Sequence, residues 1–198
     1  MTMQAKPSSK QYLTIAEWEK LPAYPRYELI DGELTMQVQP AIDHIDVGVE
    51  LGRQFANYLL GKKCRVLSEA AVRFRENDYT IFAPDLIVVC DTTKIKKNYV
   101  SGAPDLVAEI LSPSTGKLDK TLKLQRYKQA GVREYWIVDP IHKFVDVYNW
   151  NIGPAPQTYG RDDKLHVGVL DDCEIDLSLV FPEPIEEEVP NIEIYPED

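Results

Sequence analysis

The chain has 198 residues, 44% of them hydrophobic, which suits a single domain with a real core. Its net charge of -10 is unlike that of a plain basic nucleic-acid binder. No apolar run approaches the roughly 18–20 residues of a membrane span, and the opening MTMQAKPSSK lacks the apolar stretch of a secretory leader.

Residues 1–11 are expected to be disordered, residues 12–182 to form one domain, and 183–198 to be an acidic, disordered tail. Thr14 and Glu17 form a capping box before a short helix, with Leu13 stapled onto Trp18 and Pro22 ending it. Tyr27–Ile30 and Glu33–Val38 read as strands joined by Asp31-Gly32, a hairpin signal. Asp43 is the expected cap of a helix over His44–Leu60. Val47, Leu51, Phe55 and Leu59 make its apolar stripe, and Gly61 ends it.

Short strands follow at Arg65–Leu67 and Val72–Arg75. The β-branched run Thr80–Cys90 comes next, interrupted by Pro84-Asp85, which places Asp85 at a strand entry, edge or bulge. Asp91–Gly102 is a basic loop or short helix. Asp105–Leu111 is an apolar strand carrying Glu109. A helix over Lys117–Ala130 ends at Gly131, and Val132–Asp139 is a strand closed by Pro140. Phe144–Trp150 is a further strand. Gln157–Arg161 and Leu165–Leu170 read as a closing hairpin over Asp162-Asp163. Cys64, Cys90 and Cys173 are odd in number and form no C-x-x-C pair. Neither a disulfide framework nor a zinc site is expected, and a reducing cytoplasm is the natural compartment. Alternating helices and strands in the middle, with hairpins at both ends, give an α/β (α+β) domain around a mixed sheet.

The acidity is uneven. Seven acids and no base lie between Glu183 and Asp198, whereas Thr92–Ala130 holds eight bases against three acids. The Lys-rich region 94–128 is therefore a candidate basic surface. Asp85 and Glu109 stand on separate apolar strands, 24 residues apart. If those strands are neighbours, both carboxylates reach one end of the sheet. There they repel unless a cation intervenes, and oxygen-only donors favour Mg²⁺ or Mn²⁺. Lys120, Lys123 and Tyr127 are spaced to share one helix face, and a lysine beside a metal stabilises phosphoryl-transfer charge. Asp119, four residues before Lys123, competes for it. Asp105 shares a strand face with Glu109 but lies about 13 Å along the strand, too far for a shared ion. Tyr127 and Trp136 suit the core.

Several pieces in order resemble the Uma family of bacterial restriction endonucleases, within the PD-(D/E)XK nuclease superfamily. They are Tyr27-Glu28-Leu29-Ile30-Asp31-Gly32-Glu33, His44, Pro84-Asp85-Leu86-Ile87-Val88-Val89, Glu109-Ile110-Leu111-Ser112-Pro113-Ser114-Thr115, Asp119-x-x-x-Lys123-Leu124-x-x-Tyr127, and Gly131-Val132-x-Glu134-Tyr135-Trp136-Ile137-Val138-Asp139-Pro140. The resemblance implies a restriction-endonuclease-like core, with a mixed central sheet flanked by helices. It implies a divalent-metal site of Asp85, Glu109 and the Ile110 carbonyl, with Asp85, Glu109 and Lys123 catalytic. Leu111 stands where the wider superfamily has its lysine, and Lys123 on the helix takes that role. Glu28, Glu33, His44, Lys120 and Tyr127 are candidates for the site's periphery. The implied activity is Mg²⁺- or Mn²⁺-dependent hydrolysis of DNA; a homodimer would suit cutting both strands, but nothing in the sequence specifies one. A catalytically degenerate fold that only binds is the alternative, motivated by Leu111 and the acidic balance.

Overall fold

A computed structural model describes residues 12–22, 26–74, 79–113 and 116–183. Both expected disordered ends, apart from Glu183, lie outside the described residues. In chain order the elements are α1 (Ile15–Trp18), β1 (Tyr27–Ile30), β2 (Glu33–Met36), α2 (Ile42–Leu59), β3 (Arg65–Ser68), β4 (Val72–Arg73), β5 (Ile81–Phe82), β6 (Leu86–Val89), β7 (Val100–Ser101) and β8 (Leu106–Ile110). A helix follows in three parts: α3 (Gly116–Leu118), a π-helical turn over Asp119–Lys123, and α4 (Leu124–Ala130). Then come β9 (Glu134–Asp139), β10 (Phe144–Asn149), β11 (Gln157–Gly160), β12 (Lys164–His166), β13 (Glu174–Asp176) and α5 (Leu177–Val180).

The fold is mixed α+β. The main sheet has the order β11-β10-β9-β8-β6-β3, and a second sheet the order β2-β1-β5-β4-β7. In the main sheet only β8 and β9 run parallel. The crossover between them is the three-part helix, which Gly131 stops in the left-handed region at φ 89°. Strands β6, β8 and β9 are buried at every position, hence their continuous apolar runs. Alternation then sorts their side chains. Leu86, Val88, Leu106, Ala108, Ile110, Trp136 and Val138 face the apolar stripe of α2. Ile87, Val89, Val107, Tyr135 and Ile137 face Tyr127 of α4 and the second sheet.

Several expectations are corrected. The Thr80–Cys90 run is two strands in different sheets, because Pro84-Asp85 is where the chain crosses between them. Asp43 is not the cap of α2. The helix starts at Ile42 with Ala41 as N-cap, so Asp43 sits in the first turn, where its charge suits the helix dipole. The loop Asp91–Gly102 contains a 3-10 turn at Thr92–Lys94 and β7, which pairs in parallel with β4.

The closing hairpin is differently paired. β11 joins β10, while β12 joins β13, a strand the sequence pattern did not announce. Ile175, Leu177, Val180 and Phe181 are buried against α2, so this segment is core. The loop before β13 is held by Glu134, a fully buried acid that accepts hydrogen bonds from Trp136 Nε1 and from the Gly168 and Val169 backbone. A Cβ at Gly168 would meet the ends of the Asn149 and Glu134 side chains, which would have to shift.

The cysteine expectation is also overturned. Cys64 and Cys90 form a disulfide across β3 and β6, one step beyond the Arg65↔Val89 pair. Pairing depended on strand register, which two isolated cysteines do not reveal. The bridge spans 26 residues, and loop closure of that size contributes about 3 kcal/mol on the chain-entropy model. Cys64→Ser with Cys90→Ser is therefore expected to lower the free energy of unfolding by about 3 kcal/mol. Urea titration without reductant measures the difference, and no loss would show that the bridge constrains little.

Candidate active site

Asp85 precedes β6 and Glu109 lies near the end of β8. These strands are antiparallel neighbours with Leu86 opposite Ala108. One step beyond that last pair stand Asp85 and Glu109, close enough for the Asp85 charge to act on the Glu109 carboxyl. The Ile110 N–H donates to Asp85 Oδ2 at 2.6 Å and fixes the carboxylate. His44, in the first turns of α2, brings Nε2 to 3.4 Å from Asp85 Oδ1 and also hydrogen-bonds the Ile110 backbone. Since the Ile110 N–H is given to Asp85, the acceptor for His44 on Ile110 is its carbonyl. The Asp85 carboxylate and the Ile110 carbonyl thus converge on one imidazole.

Behind this half-exposed pair lies a buried cluster. Lys123 Nζ stands 3.0 Å from Glu28 Oε1, 3.1 Å from Glu109 Oε1 and 3.3 Å from Asp119 Oδ1. Lys123, Glu28, Glu109 and Asp119 are each 3% exposed or less. Tyr127 donates its hydroxyl to Glu109 Oε1 at 2.8 Å. Glu28 Oε1 accepts the Ala83 N–H at 2.9 Å, which ties β1 to the chain just before Pro84. The Tyr135 hydroxyl donates to the Asp119 carbonyl at 3.0 Å, and the Phe82 ring lies under the ammonium.

The electrostatics follow from the crowding. Burial, with Asp119, Asp85 and Glu28 adding like charge, holds the Glu109 carboxyl well above its usual range, although Lys123 pulls it down. Burial alone would lower the Lys123 pKa, but Glu109, Glu28 and Asp119 outweigh it, so the ammonium is held charged. Burial and the neighbouring Glu109 push the Tyr127 phenol up, which keeps it a donor.

For His44, burial opposes the charge, but the bonds to Asp85 and Ile110 prevail and raise the pKa above 6.5. A raised folded-state pKa stabilises the protein below the ordinary histidine value, and the contribution fades as pH rises through the raised one. The melting temperature followed over about pH 5–8 is expected to carry this downward component, and His44→Gln to lack it. A variant with the same pH slope as the parent would refute the assignment.

The structure therefore brings Asp85, Glu109, Ile110, Lys123, Glu28, His44 and Tyr127 together. It does not bring in Glu33 or Lys120. Glu33 is exposed on β2, beside Asp31 and Tyr79. Lys120 is exposed because the π-helical turn changes the spacing, so Lys120 does not share the buried face with Lys123 and Tyr127. Asp119 is a member the candidate set lacked. Its i, i+4 relation to Lys123 was the available signal, but it was weighed only as a competing local pair. Asp105 is structural, accepting from the Cys90 N–H and from Arg133.

The basic surface is thinner than the count of bases implies. Lys123 is buried, Lys94 donates to the Ala103 carbonyl and Arg126 grips Asp31 with two bonds. Lys96, Lys97, Lys117, Lys120 and Lys128 are exposed.

The mixed sheet, with Asp85 just before β6, Glu109 on the neighbouring β8 and a helix covering them, is a nuclease-like α+β fold. The chain belongs to the Uma2 family, described as "Putative restriction endonuclease", whose pattern matches residues 11–178. It is similar to the crystal structure of a "putative nuclease belonging to DUF820" from Anabaena variabilis ATCC 29413. The TM-score there is 0.71 at 21% identity, covering 85% of this chain and 97% of that one, and it bears on the fold alone. It is also 28% identical over 147 residues to the uncharacterized protein slr1290 of Synechocystis sp., covering 74% of this chain and 75% of that protein. Among the described residues no helix is long and apolar enough to cross a membrane.

Proposed function

We propose that this nuclease-family chain is a metal-dependent endonuclease that hydrolyses DNA phosphodiester bonds, in the cytoplasm, with two copies acting on the two strands. The observation that carries the proposal is that Asp85 and Glu109 stand together one step beyond the last pair of β6 and β8. Among the described residues no group of three His, Cys, Asp or Glu side chains is arranged to hold a metal alone. The donor set is instead two carboxylates and the Ile110 carbonyl. That set suits Mg²⁺ or Mn²⁺, which are held by one or two carboxylates with water and substrate phosphate completing the sphere.

Bound there, the ion supplies Lewis acidity at the scissile phosphate and lowers the pKa of an attacking water. The remaining roles fall to the chain. Ile110 N–H orients Asp85. Lys123 and Tyr127, both on Glu109 Oε1, fix the rotation of that carboxylate. Lys123 is 3% exposed, so it acts as a positioning residue and does not touch the phosphate. His44 holds a proton beside Asp85 on the half-exposed side, where a leaving oxygen can take it. The exposed lysines near the crossover helix meet the DNA backbone, which neutralises charge without reading sequence.

The test is incubation of the full chain with supercoiled plasmid and Mg²⁺ or Mn²⁺, with chelator as control. Metal-dependent nicking or linearisation is the expected result. A second reading, binding without cleavage, is favoured by the engagement of Lys123 with three carboxylates, which keeps that lysine from reaching the scissile phosphate. Retained DNA binding with no cutting in either metal would select it.

A further inference from the structure

At the end of the sheet marked by Cys64 and Cys90, away from Asp85, lies a cavity of about 310 Å³. The Cys64–Cys90 disulfide is part of its wall, together with Lys62, Lys63, Arg133 and Asp171. Arg133 is paired with Asp105, and Lys62 lies over the Tyr58 ring, 3.1 Å from its centre. With Arg133 neutralised by Asp105, Lys62 and Lys63 against Asp171 still leave this wall an excess of one positive charge in a chain of net charge -10. Both sulfur-bearing residues are half-buried, so the bridge faces the cavity and is not sealed in the core.

We propose that this cavity receives a low-molecular-weight anionic thiol, and that Cys64–Cys90 is its exchangeable partner. The volume suits a small molecule and not a folded reductase. Lys62 and Lys63 draw the negative ligand in. They also directly precede Cys64 in the chain, so a thiolate leaving at Cys64 is stabilised by neighbouring positive charge.

The exchange balances in two steps. The incoming thiolate attacks Cys90 Sγ and the Sγ–Sγ bond breaks. Cys64 leaves as a thiolate, and Cys90 carries a mixed disulfide. A second thiolate attacks the ligand sulfur of that mixed disulfide, and the oxidised ligand disulfide departs. Cys90 is left as a second thiolate, and both protein thiolates take protons from solvent. Two electrons have passed from two ligand thiols to the protein. The product lacks the covalent tie between the chain following α2 and the end of β6. The proposal is independent of DNA cleavage.

The experiment uses the full chain, purified aerobically, with opening of the bridge followed by alkylation and mass spectrometry. Glutathione, an anionic thiol, is compared with neutral 2-mercaptoethanol at equal thiolate concentration. Glutathione is expected to open the bridge at least about tenfold faster, the scale of electrostatic steering. That advantage should vanish in ~1 M salt, where the screening length is about 3 Å. It should also vanish in the exposed double variant Lys62→Gln with Lys63→Gln, and the trapped adduct should map to Cys90. Equal rates for the two thiols, an advantage that survives the double variant, opening by a protein dithiol reductant alone, or three free thiols in the purified chain would each overturn the proposal.

Discussion

Asp85→Asn is expected to lower metal-dependent plasmid cleavage by about three orders of magnitude and to leave the protein folded. The Asp85 side chain is 23% exposed, and its structural bond accepts the Ile110 N–H. An asparagine oxygen accepts the same bond, so the local backbone keeps its partner. What is lost is the negative charge beside Glu109. Lewis-acid assistance at phosphorus is worth several kcal/mol, and each 1.36 kcal/mol is tenfold in rate, which gives roughly three decades. Calorimetric titration with Mn²⁺ should show the binding heat disappear in the same variant. Glu109→Gln should cost about as much, and the two together little more, because each removes one half of a single site. Cutting that persists unchanged in Asp85→Asn would assign the activity to a contaminating nuclease or to another site.

Lys123→Met is expected to be the most destabilising single change in the site, by roughly 3–5 kcal/mol, the cost of removing one partner from a buried ion cluster. Methionine keeps the length of the stem but leaves Glu28, Glu109 and Asp119 buried without their shared cation. Glu109, which burial already holds above its usual range, then loses the cation that pulls it down. Its folded pKa rises further, so the variant's stability should fall as pH rises toward that value, and its deficit should narrow in acid. Adding Glu28→Gln to Lys123→Met should restore part of the loss, since one uncompensated charge is gone. Urea melts at two pH values decide the matter. A deficit under about 1 kcal/mol at neutral pH, the range of an exposed pair, would mean the cluster is held by packing and not by the ammonium.

These two variants divide the site by role. Asp85 stands at the half-exposed mouth and is expected to matter for chemistry. Lys123 stands behind Glu109 and is expected to matter first for the geometry of that acid. The strand position two residues after Glu109 is the apolar Leu111. The helix supplies the ammonium from the other side, and Phe82, Tyr127 and three carboxylates enclose it.

The sequence by itself determined the elements whose signals are local. Asp31-Gly32 has φ values of 50° and 87° and makes the hairpin its residue types require. Thr14 and Glu17 make the capping box, and Gly131 ends the crossover helix. The apolar runs of β6, β8 and β9 announced buried strands, and the acids Asp85 and Glu109 stood out against two of them. Those features depend on backbone preference and on the cost of burying charge, both properties of a short stretch of chain.

Tertiary structure decided what depends on register and on the meeting of distant segments. Whether Asp85 comes close to Glu109 rests on β6 and β8 being neighbours paired at Leu86↔Ala108. Glu28 comes from the other sheet, and Glu33 shares its hairpin face through the Ile30↔Glu33 pair but lies at the turn end, where it is exposed. The π-helical turn separated Lys123 from Lys120, a distinction that regular helical spacing conceals. The pairing of Cys64 with Cys90, and of β12 with β13, likewise came from strands brought together over 26 residues and across a loop. Such contacts are set by the packing of whole sheets, and a one-residue slip in register would turn each of these side chains to the other face.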